Sequence, residues 1–395
     1  MMEGWKIMKL GCLLSKIIGG GTPSKNVSEY WDGDIPWCSV KDMSDDKFQL
    51  YKTEDTISHL GLKNSSSNLI PQGTVVTATR MGLGRAFITK VDMAINQDLK
   101  ALIPNEKLDN TFLLWLIISK REKLDNLGTG STVKGIRLET LKGIQINLPP
   151  LPTQRRIASI LSAYDDLIEN NLKRIKLLEE KAQLTYEEWF VRMKFPGHET
   201  TPINEETGLP EGWEKSYFEG ILNFKTGKLD SNALVVDGKY DFYTCAKEVY
   251  KTSTYCFDGE AVLLGGNNAT GDFALFYAND KFDAYQRTYI VTAEKQRVPL
   301  VYVFYYLKKL LSYFQIVSSG ASTKFLTMKI LNKTKILIPQ AEILNQYQGM
   351  IKPCFDLILK YDKQNQLLKE ARDIMLPRLM MGVIDTDEME GVHTK

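Results

Sequence analysis

A strand, a proline pair and a long helix are predicted by residues 144–190, which read IQINLPPLPTQRRIASILSAYDDLIENNLKRIKLLEEKAQLTYEEWF. After the prolines, apolar and small residues recur in alternating steps of four and three, which is the spacing of a coiled-coil seam. The seam positions are Ile157, Leu161, Tyr164, Ile168, Asn171, Ile175, Leu178, Ala182, Thr185 and Trp189. The stretch therefore predicts a helix of about five heptads that buries one face against another helix.

The same pattern recurs 190 residues further along the chain. When Gly130–Phe190 is set over Gly320–Met380, identical residues meet at Gly130, Lys134, Leu141, Ile146, Pro149, Asp166, Leu167, Ile168, Lys173, Leu177, Leu178 and Glu180. A second seam follows at Ile351, Cys354, Ile358, Tyr361, Asn365, Leu368, Met375 and Leu379. Pro353 predicts a kink or a break in this helix, and Arg372 lies on its seam. A fixed period indicates duplicated units, and the simplest partner for one helix is the other, paired antiparallel.

Each long helix follows a segment of mixed composition that opens on a Gly-Trp pair, at Gly4 and at Gly212. These segments contain β-like runs and apolar helix-like stretches, which are Thr74–Thr79, Ala261–Leu264, Thr288–Thr292, Thr111–Ser119 and Pro299–Leu311. The fold class is therefore α+β, with two pseudo-repeated domains joined by two long helices that form an antiparallel coiled coil. We predict domains at 1–150 and 199–340, helical regions at 151–198 and 341–385, and a flexible tail at 386–395.

Composition excludes several classes of protein. The formal net charge of +2 is too small for a non-specific DNA coat, because phosphate neutralisation drives that kind of binding. The five cysteines and three histidines show no zinc spacing, and free thiols fit a reducing compartment. Apolar runs such as Phe112–Ile118 are far shorter than the roughly 18 residues of a membrane span. We expect a cytoplasmic protein without metal or cofactor.

Several motifs resemble the type I restriction-modification specificity subunits. The resemblance is carried by the run Pro149–Ile157 with Asp165–Ile168, by Tyr186–Val191 with Phe195-Pro196-Gly197, and by Ala371–Met380. Gly19–Pro23 and Gly208–Trp213 also match, and the similarity covers nearly the whole chain. The family's C-terminal motif usually ends on a Gly-Glu-Ile-like turn, where this chain has Gly382-Val383-Ile384.

The resemblance implies a division of labour. Each variable half would be a target recognition domain that reads one half of a split site in double-stranded DNA. The two helices would set the distance between the halves and dock two methyltransferase subunits, and motor-nuclease subunits would complete the restriction enzyme. Two readers held at a fixed spacing explain why the domains are duplicated.

Motifs for catalysis are missing from the sequence. Asn147–Leu151 imitates the Asn-Pro-Pro-aromatic loop of adenine methyltransferases but lacks the aromatic residue, and Gly82-Leu83-Gly84 is a lone GxG that reads as a turn. No GxxxxGK[ST] phosphate loop occurs. We therefore predict a non-catalytic subunit. The alternatives are a single-chain restriction or methylating enzyme, and a coiled-coil scaffold with two ligand-binding lobes that do not read DNA.

Candidate DNA contacts are Arg, Lys, Asn, Gln and hydroxyl side chains near predicted turns, because these groups recognise bases and phosphates. In the first domain they are Thr79, Arg80, Arg85, Asn96, Gln97, Ser131, Thr132 and Lys134. In the second they are Asn267, Asn268, Gln286, Arg287, Ser322 and Lys324. Because the Gly-Thr/Ser-Lys loops recur in both halves, a shared task such as backbone contact is favoured for them.

Candidate helix-pairing and partner-docking residues lie on the two seams. They are Leu161, Ile168, Asn171, Ile175, Leu178, Trp189, Phe190, Ile351, Ile358, Leu368 and Leu379. Asn171 is expected to fix the register of the pair, as a buried polar residue does in other coiled coils.

Overall fold

The computed structural model describes residues 4–130, 133–294, 297–320 and 322–386. The chain divides into two compact units, the described parts of Met1–Asn171 with Gln364–Lys395, and of Leu172–Lys363. Each unit therefore combines one globular domain with a portion of both long helices. The predicted tail at 386–395 lies outside the described residues except for Thr386.

The strands of the first unit are β1 (Lys6–Lys9), β2 (Leu14–Gly19), β3 (Trp31–Cys38), β4 (Gln49–Leu50), β5 (Asp55–Ile57), β6 (Leu69–Ile70), β7 (Val75–Ala78), β8 (Ala86–Thr89), β9 (Met93–Ile95), β10 (Leu99–Pro104) and β11 (Gln145–Leu148). Its shorter helices are α1 (His59–Lys63), α2 (Asn110–Ser119), α3 (Arg121–Asn126) and α4 (Leu138–Lys142). One sheet has the order β2-β10-β7-β8-β4 and another the order β5-β3-β9-β6.

The long helix α5 (Leu151–Tyr186) continues as a π-helical turn (Glu187–Val191). The strands of the second unit are β12 (Glu214–Tyr217), β13 (Leu222–Thr226), β14 (Tyr240–Tyr243), β15 (Val249–Thr252), β16 (Phe257–Gly265), β17 (Asn267–Asn268), β18 (Leu275–Ala284), β19 (Thr288–Ala293), β20 (Lys324–Phe325) and β21 (Lys335–Ile338). Its helices are α6 (Leu300–Val317) and α7 (Met328–Lys333), and α8 (Ala341–Met380) ends in the first unit.

The two domains repeat the same topology. In the first, β2-β10-β7-β8 are neighbours in the sheet, and in the second β13-β19-β16-β18 occupy the corresponding order. The opening strand of each domain also pairs antiparallel with the strand that ends at the proline, so that Lys6 faces Leu148 and Glu214 faces Ile338. The α+β class and the pseudo-repeat predicted from the sequence are confirmed.

Both helices pack antiparallel within each unit. In the first unit, Asp165 meets Arg372 and Asn171 meets Asn365, so residue numbers rise along one helix as they fall along the other. The same sense holds in the second unit, where Arg174 bonds Tyr361 and the Trp189 ring lies against Tyr347. The predicted antiparallel pair is confirmed.

Pro353 does not break α8, which runs from Ala341 through it to Met380. A proline removes one N–H from the helix and leaves the carbonyl of Gly349, four residues earlier, without its usual donor. Pro353 and Gly349 are both exposed, so water can satisfy that carbonyl. The predicted break is wrong because the proline lies on the solvent face.

The core of each unit includes residues of its helix pair. In the first unit, Ile157, Leu161 and Leu379 pack with Phe112 and Trp115 of α2. In the second, the core is rich in aromatic residues and includes Trp189, Phe190, Phe218, Tyr302, Phe314 and Tyr347. Each domain therefore shares one apolar core with the portion of the helix pair in its own unit.

Candidate nucleic-acid interface

Three segments of the first domain meet where β7 ends and where β8 and β10 begin, and they form a surface that we call loop cluster 1. The segments are residues 79–85, 96–98 and the described part of 129–135. Backbone hydrogen bonds join them, because Thr79 N donates to Asp98 O at 2.8 Å and Ile136 N donates to Thr79 O at 2.9 Å. Met81 N also donates to Lys134 O at 3.2 Å. The structure thus brings together candidates that lie far apart in the sequence.

Three exposed polar residues of loop cluster 1, Arg80, Gln97 and Lys134, each have a partner. Arg80 Nη1 lies 3.5 Å from the Asp98 carboxylate, and 57% of the arginine side chain is exposed. Thr22 Oγ1 donates to Gln97 Oε1 at 2.6 Å, so part of the Gly19–Pro23 run supports this cluster. Lys134 Nζ donates to Asp125 at 2.6 Å.

The remaining candidates of the first domain act within the protein. Thr79 is buried and its hydroxyl donates to Asp98 O, while buried Asn96 Oδ1 accepts from Asp98 N. Arg85 makes a two-pronged contact with Asp45, at 2.7 and 3.2 Å. These contacts shape the loops. Ser131 and Thr132 lie outside the described residues.

Loop cluster 2 is the corresponding surface of the second domain. It consists of residues 266–273, 285–287 and the described part of 318–326. Gly266 N donates to Arg287 O at 2.7 Å, and Leu326 N donates to Gly266 O at 2.9 Å. Short strands β17 and β20 pair Asn267 with Phe325 and Asn268 with Lys324. All predicted contact residues of this domain therefore fall in one cluster.

Side chains in loop cluster 2 differ in what they can offer a ligand. Gln286, Arg287 and Ser322 are exposed and Lys324 is half-buried. The Arg287 guanidinium lies 5.3 Å from the centre of the Phe325 ring, an arrangement that holds a cation by attraction to the ring face.

The two asparagines of loop cluster 2 face inwards. Asn268 Oδ1 accepts three hydrogen bonds from Thr270 and Asp272, which fixes the turn. Buried Asn267 Oδ1 has no hydrogen-bond partner among the described residues. Asn268 therefore shapes the loop, and Asn267 carries an unsatisfied acceptor.

In both domains a glycine lets one loop lie directly against the backbone of another. A Cβ on Gly20 would lie 1.8 Å from Ile95 O, and a Cβ on Gly227 would lie 1.8 Å from Ala284 O. In the third segment of each cluster, Gly130 and Gly320 have φ of 121° and 114°, a region that residues with a side chain seldom adopt. Only glycine fits these four places, so the clusters are built alike.

Sequence reasoning missed three residues that complete the clusters, Thr22, Asp98 and Phe325. Asp98 is acidic and had no reason to be chosen as a DNA contact, although it holds Arg80. Phe325 follows Lys324 directly, and an aromatic residue beside a basic one could have pointed to it. Thr22 belongs to a glycine-rich run whose role the sequence left open.

The helix-pairing candidates are mostly buried. Leu161, Ile168, Asn171, Ile175, Trp189, Phe190, Ile351 and Leu379 are buried, whereas Leu178, Ile358 and Leu368 are only half-buried. Asn171 Nδ2 donates to Asn365 Oδ1 at 2.9 Å and to Gln364 Oε1 at 3.2 Å. Trp189 and Phe190 belong to the aromatic core of the second unit.

A buried ion pair explains how the seam accommodates Arg372. Its guanidinium lies 2.6 Å from Asp165 and 4.8 Å from the centre of the Phe48 ring, and 4% of its side chain is exposed. Burial raises the pKa of Asp165 to about 6, although the neighbouring Arg372 acts in the opposite direction. Loss of hydration therefore outweighs the attraction of the arginine.

The described residues contain neither a candidate metal site nor a candidate membrane span. No cluster of three or more His, Cys, Asp or Glu side chains in them is placed to hold a metal ion. Within the same residues, every helix is too short or too polar to cross a membrane. The five cysteines, Cys12, Cys38, Cys245, Cys256 and Cys354, are free.

Duplicated loop clusters on duplicated domains, with an antiparallel helix pair in each unit, define a class of protein in which one arrangement of loops is built twice. Residues 2–180 and 210–372 match the family described as type I restriction modification DNA specificity domain. The chain belongs to this family.

Individual relatives agree with this assignment. The chain is 26% identical to the type I restriction enzyme MjaIX specificity subunit of Methanocaldococcus jannaschii, over 98% of this chain and 95% of that protein. It is 34% identical to the EcoR124I/EcoR124II specificity subunit of Escherichia coli, over 47% of this chain and 48% of that protein. In fold it is similar to the crystal structure of the type I restriction-modification S subunit from M. genitalium, with a TM-score of 0.65, 16% identity and coverage of 95% and 96%.

Proposed function

We propose that this chain gives a type I restriction-modification enzyme its DNA sequence specificity. Loop cluster 1 binds one half of a bipartite site and loop cluster 2 binds the other. The observation that carries the proposal is that one arrangement of three loops is built twice, with an exposed arginine and an exposed glutamine each time. These are side chains that read guanine and adenine in the major groove.

The contact residues divide by burial. Arg80, Gln97, Gln286, Arg287 and Ser322 are exposed and are assigned to DNA, together with Lys134 and Lys324 in the recurring loops. Thr79, Arg85, Asn96 and Asn268 are assigned to support of the loops because they are buried or half-buried and their polar groups are also bonded within the domain. Ser131 and Thr132 remain candidates for phosphate contact on sequence grounds.

The helices have the second task. Recognition domains at 1–150 and 199–340 are joined by the helical regions 151–198 and 341–385, which set the spacing between the half-sites. Exposed leucines on the outer faces of the helices, such as Leu167, Leu177 and Leu367, offer apolar surface for two methyltransferase subunits. Motor-nuclease subunits join the complex for restriction.

Methyl transfer and cleavage come from these partners, so the chain itself is not an enzyme. Its free cysteines suit the reducing cytoplasm, where the proposed complex meets DNA. The competing function is a scaffold with two lobes for other ligands. Contacts to phosphates make the affinity for duplex DNA fall as salt is added. The scaffold would show no such salt-dependent affinity.

The test is to assemble the purified chain with the methyltransferase subunits of its own system. We expect salt-sensitive binding to duplex DNA and methylation at a two-part site. When the chain is omitted, the methyltransferase subunits should neither bind nor methylate that site selectively. The chain alone should transfer no methyl group. A complex that binds no duplex, or a chain that methylates unaided, would overturn the proposal.

A further inference from the structure

The two loop clusters can be superimposed residue by residue through their backbone hydrogen bonds. Thr79 N donates to Asp98 O as Gly266 N donates to Arg287 O. The next bond of the network, from Ile136 N to Thr79 O, has its counterpart from Leu326 N to Gly266 O. Asp98 therefore occupies the place of Arg287, Gln97 that of Gln286, and Arg80 that of Asn267.

One of these three positions carries the same residue in both clusters. Gln97 and Gln286 are exposed, and each is held by the loop next to it. Thr22 donates to the side chain of Gln97, and Gln286 N donates to Leu229 O at 2.9 Å. The two supporting loops also contain Gly20 and Gly227, which approach the backbone of Ile95 and Ala284. The two clusters are therefore alike around the glutamine as well as at it.

The other two positions exchange the arginine, which is at the first of them in loop cluster 1 and at the second in loop cluster 2. Loop cluster 1 has arginine at position 80 and aspartate at position 98, with 3.5 Å between the two charged groups. Loop cluster 2 has neutral Asn267 at the first place and Arg287 at the second. Each cluster thus presents a guanidinium, but from a different loop.

Each guanidinium is pre-oriented by its neighbour, which suits recognition of a base. The Asp98 carboxylate lies 3.5 Å from Arg80 and offsets part of its positive charge, while the other N–H groups of the guanidinium remain available for hydrogen bonds. The ring of Phe325 supports one face of Arg287, so the donors around the edge of the planar group stay accessible. A fork of this kind matches the O6 and N7 acceptors of guanine.

From this exchange, and resting on the proposed function, we infer that both half-sites contain a guanine read by arginine but at different places. Arg80 reads it from the 79–85 loop in the first half-site, and Arg287 reads it from the 285–287 turn in the second. Gln97 and Gln286 read a base pair at the same place in each half-site, and adenine is the base that a glutamine amide matches.

The first experiment replaces each arginine by lysine, which keeps the charge but loses the fork. The complex with its methyltransferase subunits is bound to a library of duplexes randomised over both half-sites. Arg287→Lys should keep overall affinity and lose about tenfold preference for guanine at one base pair of the second half-site. Arg80→Lys should do the same in the first half-site only. Arg297→Lys, beyond the opposite end of β19, is the matched control.

Equal weakening at every sequence would make the arginine a phosphate contact and overturn the inference, as would an unchanged preference. A wild-type complex that prefers no sequence would instead overturn the proposed function itself. Thermal unfolding of each variant separates loss of recognition from loss of fold.

The second experiment moves the pair of residues between clusters. The double variant Arg80→Asn with Asp98→Arg gives loop cluster 1 the residues of loop cluster 2 at these two positions, although Gly135 still stands where loop cluster 2 has Phe325. Its guanine preference should move to another base pair of the first half-site, while the second half-site stays as it was. A preference that stays in place in a folded variant would contradict the exchange of roles between the two loops.

Discussion

Glycine at two equivalent positions lets the supporting loops lie directly on the backbone of the neighbouring turn. A methyl group on Gly227 would lie 1.8 Å from Ala284 O, so Gly227→Ala must displace the turn that carries Gln286. Gly349 lies on the exposed face of α8, where nothing is within 4 Å of an added Cβ.

We therefore expect Gly227→Ala to lower the unfolding midpoint and weaken binding to the second half-site. Gly349→Ala should raise the free energy of unfolding by up to about 1 kcal/mol, because alanine has the higher helix propensity. Urea unfolding and half-site binding measure both effects. Equal stability of the two variants would show that the close approach is not a constraint.

Asp165 should make the protein less stable as pH rises, which is the opposite of the usual effect of a carboxylate. Its pKa is raised to about 6 in the folded state, whereas that of an unfolded Asp is about 3.9. Between these values the folded state binds more protons than the unfolded state, so the contribution of Asp165 to stability is present below pH 4 and is lost as pH rises through 6.

The wild type should therefore lose stability relative to Asp165→Asn between pH 4 and pH 7, by on the order of 3 kcal/mol. Urea unfolding of both proteins across this range gives the difference directly. The opposite slope would mean that Arg372 holds the carboxylate ionised, and the pKa would then lie below its ordinary value.

Residue types and spacing were enough to select most of the exposed groups in the clusters but not to rank them. Thr79 and Arg80 are adjacent in sequence, yet one is buried against Asp98 O and the other is exposed. That difference depends on a backbone bond between residues 79 and 98, which belong to different loops. No local pattern encodes such a bond, so the support given by Asp98 and Thr22 was not predictable.

At the level of elements, a polar pair interrupts the apolar seam of the first unit. Asn171 and Asn365 are both buried, and their amides are 2.9 Å apart. Burying an amide without a hydrogen-bond partner lowers the free energy of unfolding by more than a satisfied hydrogen bond raises it. The pair therefore favours the alignment that brings the two asparagines together.

Asn171→Leu should destabilise the protein by about 1–3 kcal/mol, because it leaves the Asn365 amide buried without this partner. The double variant with Asn365→Leu should recover most of that loss, since two apolar groups then fill the seam. Urea unfolding of the wild type, both single variants and the double variant completes the cycle. If the two single effects simply add, the amides are not coupled and do not fix the alignment.

Long elements were more predictable than short ones. The seam of α5 repeats often enough for the period to identify a helix, and the duplicate at α8 identified its partner. Strands β17 and β20 have two residues each and depend on pairing between distant segments. Pro353 shows the limit of local rules, because its effect depends on which face of the helix it occupies.

At the level of the whole molecule, the proposed role of the helices as a spacer concerns the join between the two units. That join falls between Asn171 and Leu172 in α5 and between Lys363 and Gln364 in α8. Seven residues added at both points preserve the heptad phase of each seam. They also keep Asn171 with Gln364 and Asn365 in one unit, and Arg174 with Tyr361 in the other.

A matched insertion of this kind lengthens each helix by about 10 Å at about 1.5 Å per residue. If the helices set the spacing, the gap between methylated half-sites should grow by about three base pairs, at about 3.4 Å each. Sequencing of methylated bases in DNA from cells that carry the variant measures the gap. Insertion into α5 alone is the control, because it leaves one heptad, with two seam positions, without a partner and should destabilise the protein. A folded double insertion that still methylates the original gap would contradict the spacer role, because the half-sites would then be positioned by something other than helix length.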